Sequence, residues 1–438
     1  MRIRDNRLYF GDHFAGDLAR EFGTPLYVYE EEVLRARCRE LKNLLKRPNF
    51  AVNYSMKANS NVALLEIVRN EGLRVDTMSP GEIFLAMEAG YRPEEILFIG
   101  NNVSKAEMSY AIDRGVLVSV DSISQLEYFG QLKPGGEVVV RINPNIGDGH
   151  SAKVITAGRV KFGTPRDQLP ELKRVAARYD VSIIGINMHI GSLFLTPHNY
   201  LAAVEHLLEI AEGFDHLRLI DFGGGLGVPY RHTQEERFPL AEFAKEFEAV
   251  LSAWEEETGN KKVKFIIEPG RYPVAECGTL LGTVHSIKEN FGTVFVGTDL
   301  GFNVLIRPEL YGAYHEVIVC NNAESRDLVE VSVCGNICES GDLVAEARLL
   351  PDISLDDTLA VLDAGAYGFS MSSNYNMRLR PAEVLLQRDG TLRVIRERED
   401  LSYLLANQRY GTGETAGTGP AGGKGEARGE AKGKGAKS

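Results

Sequence analysis

About eight short β-branched runs, each followed by a segment long enough for a helix, occupy the first two thirds of the chain. They fall at 50–57, 74–79, 96–101, 116–121, 138–143, 183–189, 217–223 and 265–268. Strands that alternate with helices in this way build a parallel sheet, because each parallel neighbour is reached through a crossover. This number of units implies a sheet closed on itself, a TIM-like (β/α)8 barrel.

The C-terminal ends of these runs carry Lys57, Asp76, Asn101, Asp121, Arg141, His189, Asp221 and Glu268. A barrel needs no such polarity to be stable, and barrel active sites sit at the C-terminal ends of the strands. In the first run Phe50, Val52, Tyr54 and Met56 share one face, while Ala51, Asn53, Ser55 and Lys57 share the other. A small face that turns cationic at its last position directs Lys57 toward a site; taken alone, the lysine would also fit a side chain snorkelling from a strand end.

After Arg271 the texture changes to strands without long helices between them, at 284–287, 293–296, 316–319, 329–333, 358–362, 383–386 and 392–395. The run Arg7-Leu8-Tyr9-Phe10 has no helix partner and is expected to join this β domain. The expected organisation is an N-terminal strand segment at 1–25, a barrel at 26–280 and a C-terminal β-sandwich or β-barrel at 281–410, with the N-terminal strand packing on the last. Gly, Ala, Lys and Glu dominate 411–438, a tail expected to be disordered because it has no core to bury.

The 438 residues, 44% hydrophobic and 25% charged, supply enough apolar surface for one large domain and one smaller one. A net charge of −12 argues against nucleic acid as the main partner while leaving room for local basic pockets that bind small anions. No apolar run reaches the roughly eighteen residues of a membrane span. Met1-Arg2-Ile3-Arg4-Asp5 lacks the apolar core of a signal peptide, so a cytoplasmic location is expected. Five scattered cysteines make a poor disulfide framework, and Cys334 and Cys338 without nearby partners make a weak zinc motif, so no metal is expected.

Three stretches carry chemistry. Asp221-Phe222-Gly223-Gly224-Gly225-Leu226-Gly227 places three glycines directly after the seventh strand, where backbone N–H groups can approach an anion; the same glycines would also make a tight turn. Asn187-Met188-His189-Ile190-Gly191-Ser192 ends the sixth strand with a histidine and a serine, although a histidine there often simply packs into a core. Glu268-Pro269-Gly270-Arg271 puts a carboxylate at the last strand end and a guanidinium three residues on, which alone would read as a salt bridge. A lysine, a glycine nest and an acid together are the parts that pyridoxal 5'-phosphate requires: an amine to hold it, a cradle for its phosphate and a carboxylate for its ring nitrogen.

At this point the chain resembles a known family. Tyr54-Ser55-Met56-Lys57-Ala58-Asn59, His189-Ile190-Gly191-Ser192, Gly223-Gly224-Gly225-Leu226-Gly227, Glu268-Pro269-Gly270-Arg271, Arg307-Pro308-Glu309-Leu310-Tyr311, Cys338-Glu339-Ser340-Gly341-Asp342 and Asp363-Ala364-Gly365-Ala366-Tyr367 run in the order seen in fold-type III pyridoxal-phosphate decarboxylases. Among these the chain is similar to the diaminopimelate decarboxylase family. The resemblance implies that Lys57 holds the cofactor, His189 packs on its ring, Glu268 faces the ring nitrogen and Asp76 lies near Lys57. It further implies that Ser192, Gly225, the segment of Glu268, Pro269, Gly270 and Arg271, and Tyr367 surround the phosphate. Cys338 is implied as the general acid, supplied by the opposite protomer of a homodimer. Two departures, Leu193-Phe194 where many relatives carry a glutamine and Pro80-Gly81 in place of a glycine pair, touch cofactor packing and remove no reacting group.

The substrate that the resemblance implies is meso-2,6-diaminopimelate, converted to L-lysine and CO2. Its far end is a second amino-acid head, so a carboxylate and an ammonium must be bound together; Arg271, Arg307, Tyr311 and Tyr367 are expected on the carboxylate side and Glu339 on the ammonium. The alternatives are a decarboxylase for another amino acid or a carrier-bound acyl group, a racemase, and a catalytically dead regulator that keeps the barrel. Lys57 and Cys338 together weigh against the last two.

Overall fold

In the computed structural model, which describes residues 1–149 and 151–409, eight parallel strands close into a barrel. They are β1 (Phe50–Ser55), β2 (Arg74–Thr77), β3 (Ile96–Phe98), β4 (Leu117–Val120), β5 (Glu137–Asn143), β6 (Ser182–Asn187), β7 (Leu219–Asp221) and β8 (Lys264–Ile267), each paired with the next and β8 with β1. Lys57, Asn101, Asp121, His189 and Glu268 lie just beyond the strand ends, so the polar residues that close each run form the rim of the barrel. The tail expected at 411–438 lies outside the described residues.

Local chemistry starts the crossovers. The helices Val62–Asn70, Pro80–Glu88, Lys105–Asp113 and Ile123–Leu132 each begin where a side chain accepts a first-turn N–H, from Asn61, Ser79, Ser104 and Ser122 respectively. Inside the barrel Leu97, Ile99 and Val139 pack with Met78, Leu117 and Leu219. This apolar plug fills the barrel interior, as such barrels require.

A second sheet of nine strands contains all seven strands expected after Arg271, with two more, Leu343–Pro351 and Leu26–Glu30. The N-terminal strand that enters this sheet is therefore Leu26–Glu30. It runs antiparallel to Gly278–Asn290 and parallel to Ala382–Leu386. The expectation for Arg7–Phe10 is corrected: turns at Asp5-Asn6 and Gly11, all at positive φ, fold it against Arg2–Arg4 and His13–Phe14 into a small sheet of its own. Leu8 and Phe10 still reach an apolar cluster with Leu362, Ala382 and Val384. Strict alternation explains why Leu26–Glu30 is central: Leu26 and Val28 enter that cluster, while Tyr27 and Tyr29 enter the main core shared with the barrel.

Residues 1–399 form one compact unit, and the described residues beyond it hold the short helix Leu401–Leu405 capped by Asp400. Among the described residues no helix is long and apolar enough to cross a membrane.

Candidate active site

Lys57 stands on one turn of 3-10 helix, Met56–Ala58, where β1 ends. Its small polar neighbours fasten that turn. Tyr54 donates its hydroxyl to Asn59 O at 2.9 Å, and Asn59 Nδ2 donates to Gly365 O at 3.0 Å and to Tyr29 Oη at 3.1 Å. Ala58 O accepts from Tyr367 N–H at 2.8 Å and from Ser370 Oγ at 3.0 Å. Asn61 and Tyr29 both bond the buried carboxylate of Glu383, at 2.8 and 2.7 Å. The asparagines thus tie the end of β1 to the second sheet, and Lys57 enters a cavity of about 290 Å³ with Ser55, Asn101, Arg141, His189 and Glu268 around it. Met78 and Ile99, members of the barrel plug, also line this cavity. A wider groove of about 820 Å³ beside Tyr314 and Arg348 has no lysine in its wall, so chemistry and not size identifies the site.

Three carboxylates crowd the rim. Asp76 accepts from Ser55 Oγ at 3.0 Å through Oδ2, leaving Oδ1 buried without a partner. Burial, and then the neighbouring Glu268, push its protonation well above the usual carboxylate range. Asp221 accepts from Gly223 N–H at 2.9 Å through one oxygen, and its other oxygen, like Glu268 Oε1, is buried and unbonded to any donor. Asp221 is 0% exposed and Glu268 6%. Two carboxylates can bond each other only when one holds a proton. Burial is the first cause in both: Asp221, held back by its bonds to Glu268 and Gly223, is pushed up to about 7, and Glu268, which faces the charge of Asp221, goes well above its usual range. Arg141 lies buried nearby, 4.0 Å from Asp121 and with its guanidinium over the Phe162 ring.

The glycine segment is packed to its backbone. A Cβ on Gly224 would lie 1.9 Å from Glu268 O, and one on Gly225, where φ is +124°, would lie 2.1 Å from the Phe194 ring. His189 accepts from Gly224 N–H at 3.1 Å through Nδ1, which leaves the ring proton on Nε2. The imidazole keeps some contact with the cavity, yet burial, followed by the charges of Lys57 and Arg141, holds it neutral, well below the usual histidine range.

Arg271 extends from the end of the Glu268-Pro269-Gly270 segment. It donates to Ser192 Oγ at 3.1 Å and to Tyr230 Oη at 2.7 Å, with Nε buried and unpartnered. Its guanidinium also lies over the Tyr367 ring at 5.0 Å. The Tyr367 hydroxyl would be 3.0 Å from a Cβ on Gly270, so residue types at both positions are constrained by the same contact. Arg307, 1% exposed, stacks over the Tyr230 ring at 4.4 Å. Tyr311 closes the same short helix, Arg307–Tyr311.

Cys338 and Glu339 stand elsewhere. The thiol is exposed and is not among the residues lining the Lys57 cavity. Cys338 N–H donates to Asn376 Oδ1 at 2.8 Å, and Glu339 accepts from Tyr375 Oη at 2.6 Å. Their loop is braced by Asp342, whose oxygens accept from Phe302 N–H at 2.6 Å and Ile337 N–H at 2.7 Å. The single chain thus gathers Lys57, Asp76, His189, Ser192, Gly225, Glu268, Pro269, Gly270, Arg271, Arg307 and Tyr367 within linked contacts, and leaves Cys338 and Glu339 on a separate surface. Sequence reasoning singled out neither Tyr230 nor His315. Tyr230 follows the glycine run closely enough to have been noticed; His315 carries no local signal.

The sequence profile described as "Pyridoxal-dependent decarboxylase, pyridoxal binding domain" matches residues 31–275. A diaminopimelate decarboxylase of Methanothermobacter thermautotrophicus is 43% identical over 411 residues, which cover 92% of this chain and 95% of the relative. A crystal structure of diaminopimelate decarboxylase from M. jannaschii in complex with L-lysine aligns with a TM-score of 0.84 and 32% identity, covering 93% of this chain and 97% of the other. The enzyme of Helicobacter pylori, also with L-lysine, gives 0.81 and 31%, over 89% of this chain and 98% of the other. With a match that spans the barrel, and relatives that span the second sheet as well, the chain belongs to the pyridoxal-dependent decarboxylases and, within them, to the diaminopimelate decarboxylase family.

Proposed function

We propose that this chain removes CO2 from meso-2,6-diaminopimelate to give L-lysine, the last step of lysine synthesis by that route, with pyridoxal 5'-phosphate held at Lys57. The residues fit that cofactor. An amine enters the cavity, a buried carboxylate oxygen on Glu268 lacks a donor, and Gly224 and Gly225 leave no room for a side chain where backbone approach is needed. When bound, the cofactor supplies a cationic ring that accepts the electron pair CO2 leaves behind.

The chain's own residues do the rest. Glu268, as a carboxylate, would hold the ring nitrogen in its charged form. Neutral His189, fixed by Gly224, offers a flat uncharged face for the ring. The Gly225 N–H, Ser192 and Tyr367 would hold the phosphate, and Asp76 would stand by the Lys57 amine. Cys338 of a second copy delivers its thiol proton to the carbon that lost CO2, while Glu339 of that copy binds the distal ammonium. Exposure of both in the single chain supports a homodimer with shared sites.

The observation that carries the substrate choice is the pair of buried guanidiniums, Arg271 and Arg307, packed on one tyrosine with an unbonded Nε each. An ornithine or lysine side chain brings only an ammonium and would be repelled there; a second amino-acid head brings a carboxylate that satisfies both. All five cysteines are free thiols, which supports a reducing, cytoplasmic setting. CO2 release measured against diaminopimelate stereoisomers, lysine, ornithine and arginine tests this reading. Release from the meso isomer alone is expected, and Lys57→Ala should lose both turnover and the visible absorbance of the cofactor. Preference for ornithine or lysine would overturn the substrate assignment.

A further inference from the structure

His315 is 0% exposed, so it touches no substrate, yet both its ring nitrogens are engaged. Leu362 N–H donates to Glu316 O at 3.0 Å, extending the ladder that pairs Val317 with Val361, and this register carries His315 Nδ1 to 2.7 Å from Leu362 O. A carbonyl only accepts, so Nδ1 bears the proton. Nε2 is then a lone pair, and it meets Arg307 Nη1, which only donates, at 2.7 Å. Tyr230 closes the group from the side: its ring stands edge-on to His315 at 5.1 Å, lies under Arg307 at 4.4 Å, and its hydroxyl accepts from Arg271 at 2.7 Å. A continuous chain of contacts runs from Leu362 O through His315, Arg307, Tyr230 and Arg271 to Ser192.

We propose that His315 is the positioning residue that aims Arg307 at the distal carboxylate of the substrate, and that it serves because it is an acceptor without charge. An aspartate or glutamate in its place would orient the guanidinium equally well and would also neutralise it, leaving nothing for the substrate's carboxylate to gain. The neutral ring orients Arg307 and leaves its full charge, and its unbonded Nε, for the ligand. The groups facing the imidazole are Arg307, Arg271, Arg348 and Tyr230; Arg348 also bonds the His315 carbonyl, at 3.4 Å. Burial and these cations keep the ring neutral across the working range of the enzyme. The role rests on the substrate reading above, because it requires a carboxylate at the distal end.

The test uses the loaded enzyme and the variants His315→Leu, His315→Gln and His315→Glu. Losing a buried partner of a charged donor should raise KM for meso-diaminopimelate about ten- to hundredfold in His315→Leu with kcat little changed. Gln, whose amide oxygen can accept from Arg307, should restore most of it, and Glu should not. Binding gives a readout apart from turnover: affinity for L-lysine, which keeps one carboxylate, should fall by the same factor, while affinity for 1,5-diaminopentane, which has none, should not move. In 15N spectra of labelled histidine the His315 ring should stay in the neutral Nδ1–H form from pH 5 to pH 8. If His315→Leu, folded and loaded, keeps the wild-type KM and lysine affinity, the proposal is overturned while the substrate reading stands. If it does not fold, a His315→Glu protein as good as His315→Gln, or a ring protonated in this range, overturns it equally. A wild-type enzyme that prefers diaminopentane to lysine and ignores diaminopimelate would sink both.

Discussion

Between about pH 4 and pH 7 the buried pair of Asp221 and Glu268 holds a proton that the unfolded chain has already released, since burial pushes Asp221 up to about 7 and Glu268 upward with it. Where the folded state binds more protons than the unfolded state, stability falls as pH rises. The pair therefore costs nothing below the ordinary carboxylate range and progressively destabilises the cofactor-free protein as pH climbs through that window. Asp221→Asn removes one acid and the repulsion. Urea unfolding of the cofactor-free proteins should show the variant gaining on wild type as pH rises from 4 to 7, and the gap should narrow once the cofactor is loaded, because in the proposed arrangement a ring N–H would face Glu268. A gap independent of pH would mean that the two carboxylates do not share a proton. Glu268 was legible in the sequence only in company: with an arginine three residues on it reads as half of a salt bridge, and the lysine and glycine run at other strand ends are what single it out. Its dependence on Asp221 was not legible, because it arises from two adjacent strands whose register brings Asp221 beside Ile266.

At the scale of elements, the barrel was readable because its strands are short, apolar and separated by helices, whereas the second sheet hid two strands. Leu343–Pro351 contains Ala345, Glu346, Ala347 and Arg348, residues that favour helix, and only pairing with Leu328–Cys334 makes it a strand. Leu26–Glu30 sits between two helices, like another barrel unit, and its partners lie some two hundred and fifty residues or more downstream, beyond the reach of any local pattern. The glycine turn after β7 shows the opposite case, where composition alone fixes the geometry. The Gly223 carbonyl accepts from Glu268 N–H at 2.8 Å, so this turn and the end of β8 move as one piece. In Gly224→Ala the added methyl would meet Glu268 O at 1.9 Å, a backbone atom that can retreat only by displacing Glu268 itself. Overpacking of this kind costs about 1–3 kcal/mol, and if it falls on the bound state, cofactor affinity drops roughly ten- to hundredfold. Gly81→Ala is the comparison: the family pattern places Gly81 near the cofactor, yet its Cβ would meet only Ser79 Oγ, at 3.7 Å, within a helix, so the structure leaves room for the methyl. Equilibrium titration of both variants should show weak cofactor binding in the first and wild-type binding in the second, with circular dichroism unchanged in each. Equal affinities would mean that the turn does not form the cradle.

At the scale of the whole molecule, the proposed reaction requires a thiol exposed on one surface to meet a lysine held in the barrel. The family resemblance is what assigns Cys338 to the reaction at Lys57 and to the opposite protomer; the residues themselves, some 280 positions apart, carry no local signal of either. In the folded chain Cys338 is exposed, held by Asn376 on a loop braced by Asp342, while Lys57 is fastened in its cavity by contacts to Tyr29, Gly365 and Tyr367 through its neighbours Ala58 and Asn59. Both are anchored by hydrogen bonds to their own surroundings, so bringing them together within one chain would break several buried bonds at about 1 kcal/mol each. A two-fold dimer needs no such rearrangement, because the loop of one copy can close the cavity of the other. Complementation separates the two arrangements. A Lys57→Ala chain retains Cys338 and a Cys338→Ala chain retains Lys57, so a mixed dimer holds one site with both groups and one with neither. With equal amounts and free exchange, about half the dimers are mixed and half their sites work, which gives roughly one quarter of wild-type turnover. Size-exclusion chromatography with differently tagged chains verifies exchange, and CO2 release is then read on the mixture. Recovery near a quarter is expected; no recovery from proven mixed dimers would mean that each chain builds its site alone, and that the Cys338 loop must leave its present bonds to do so.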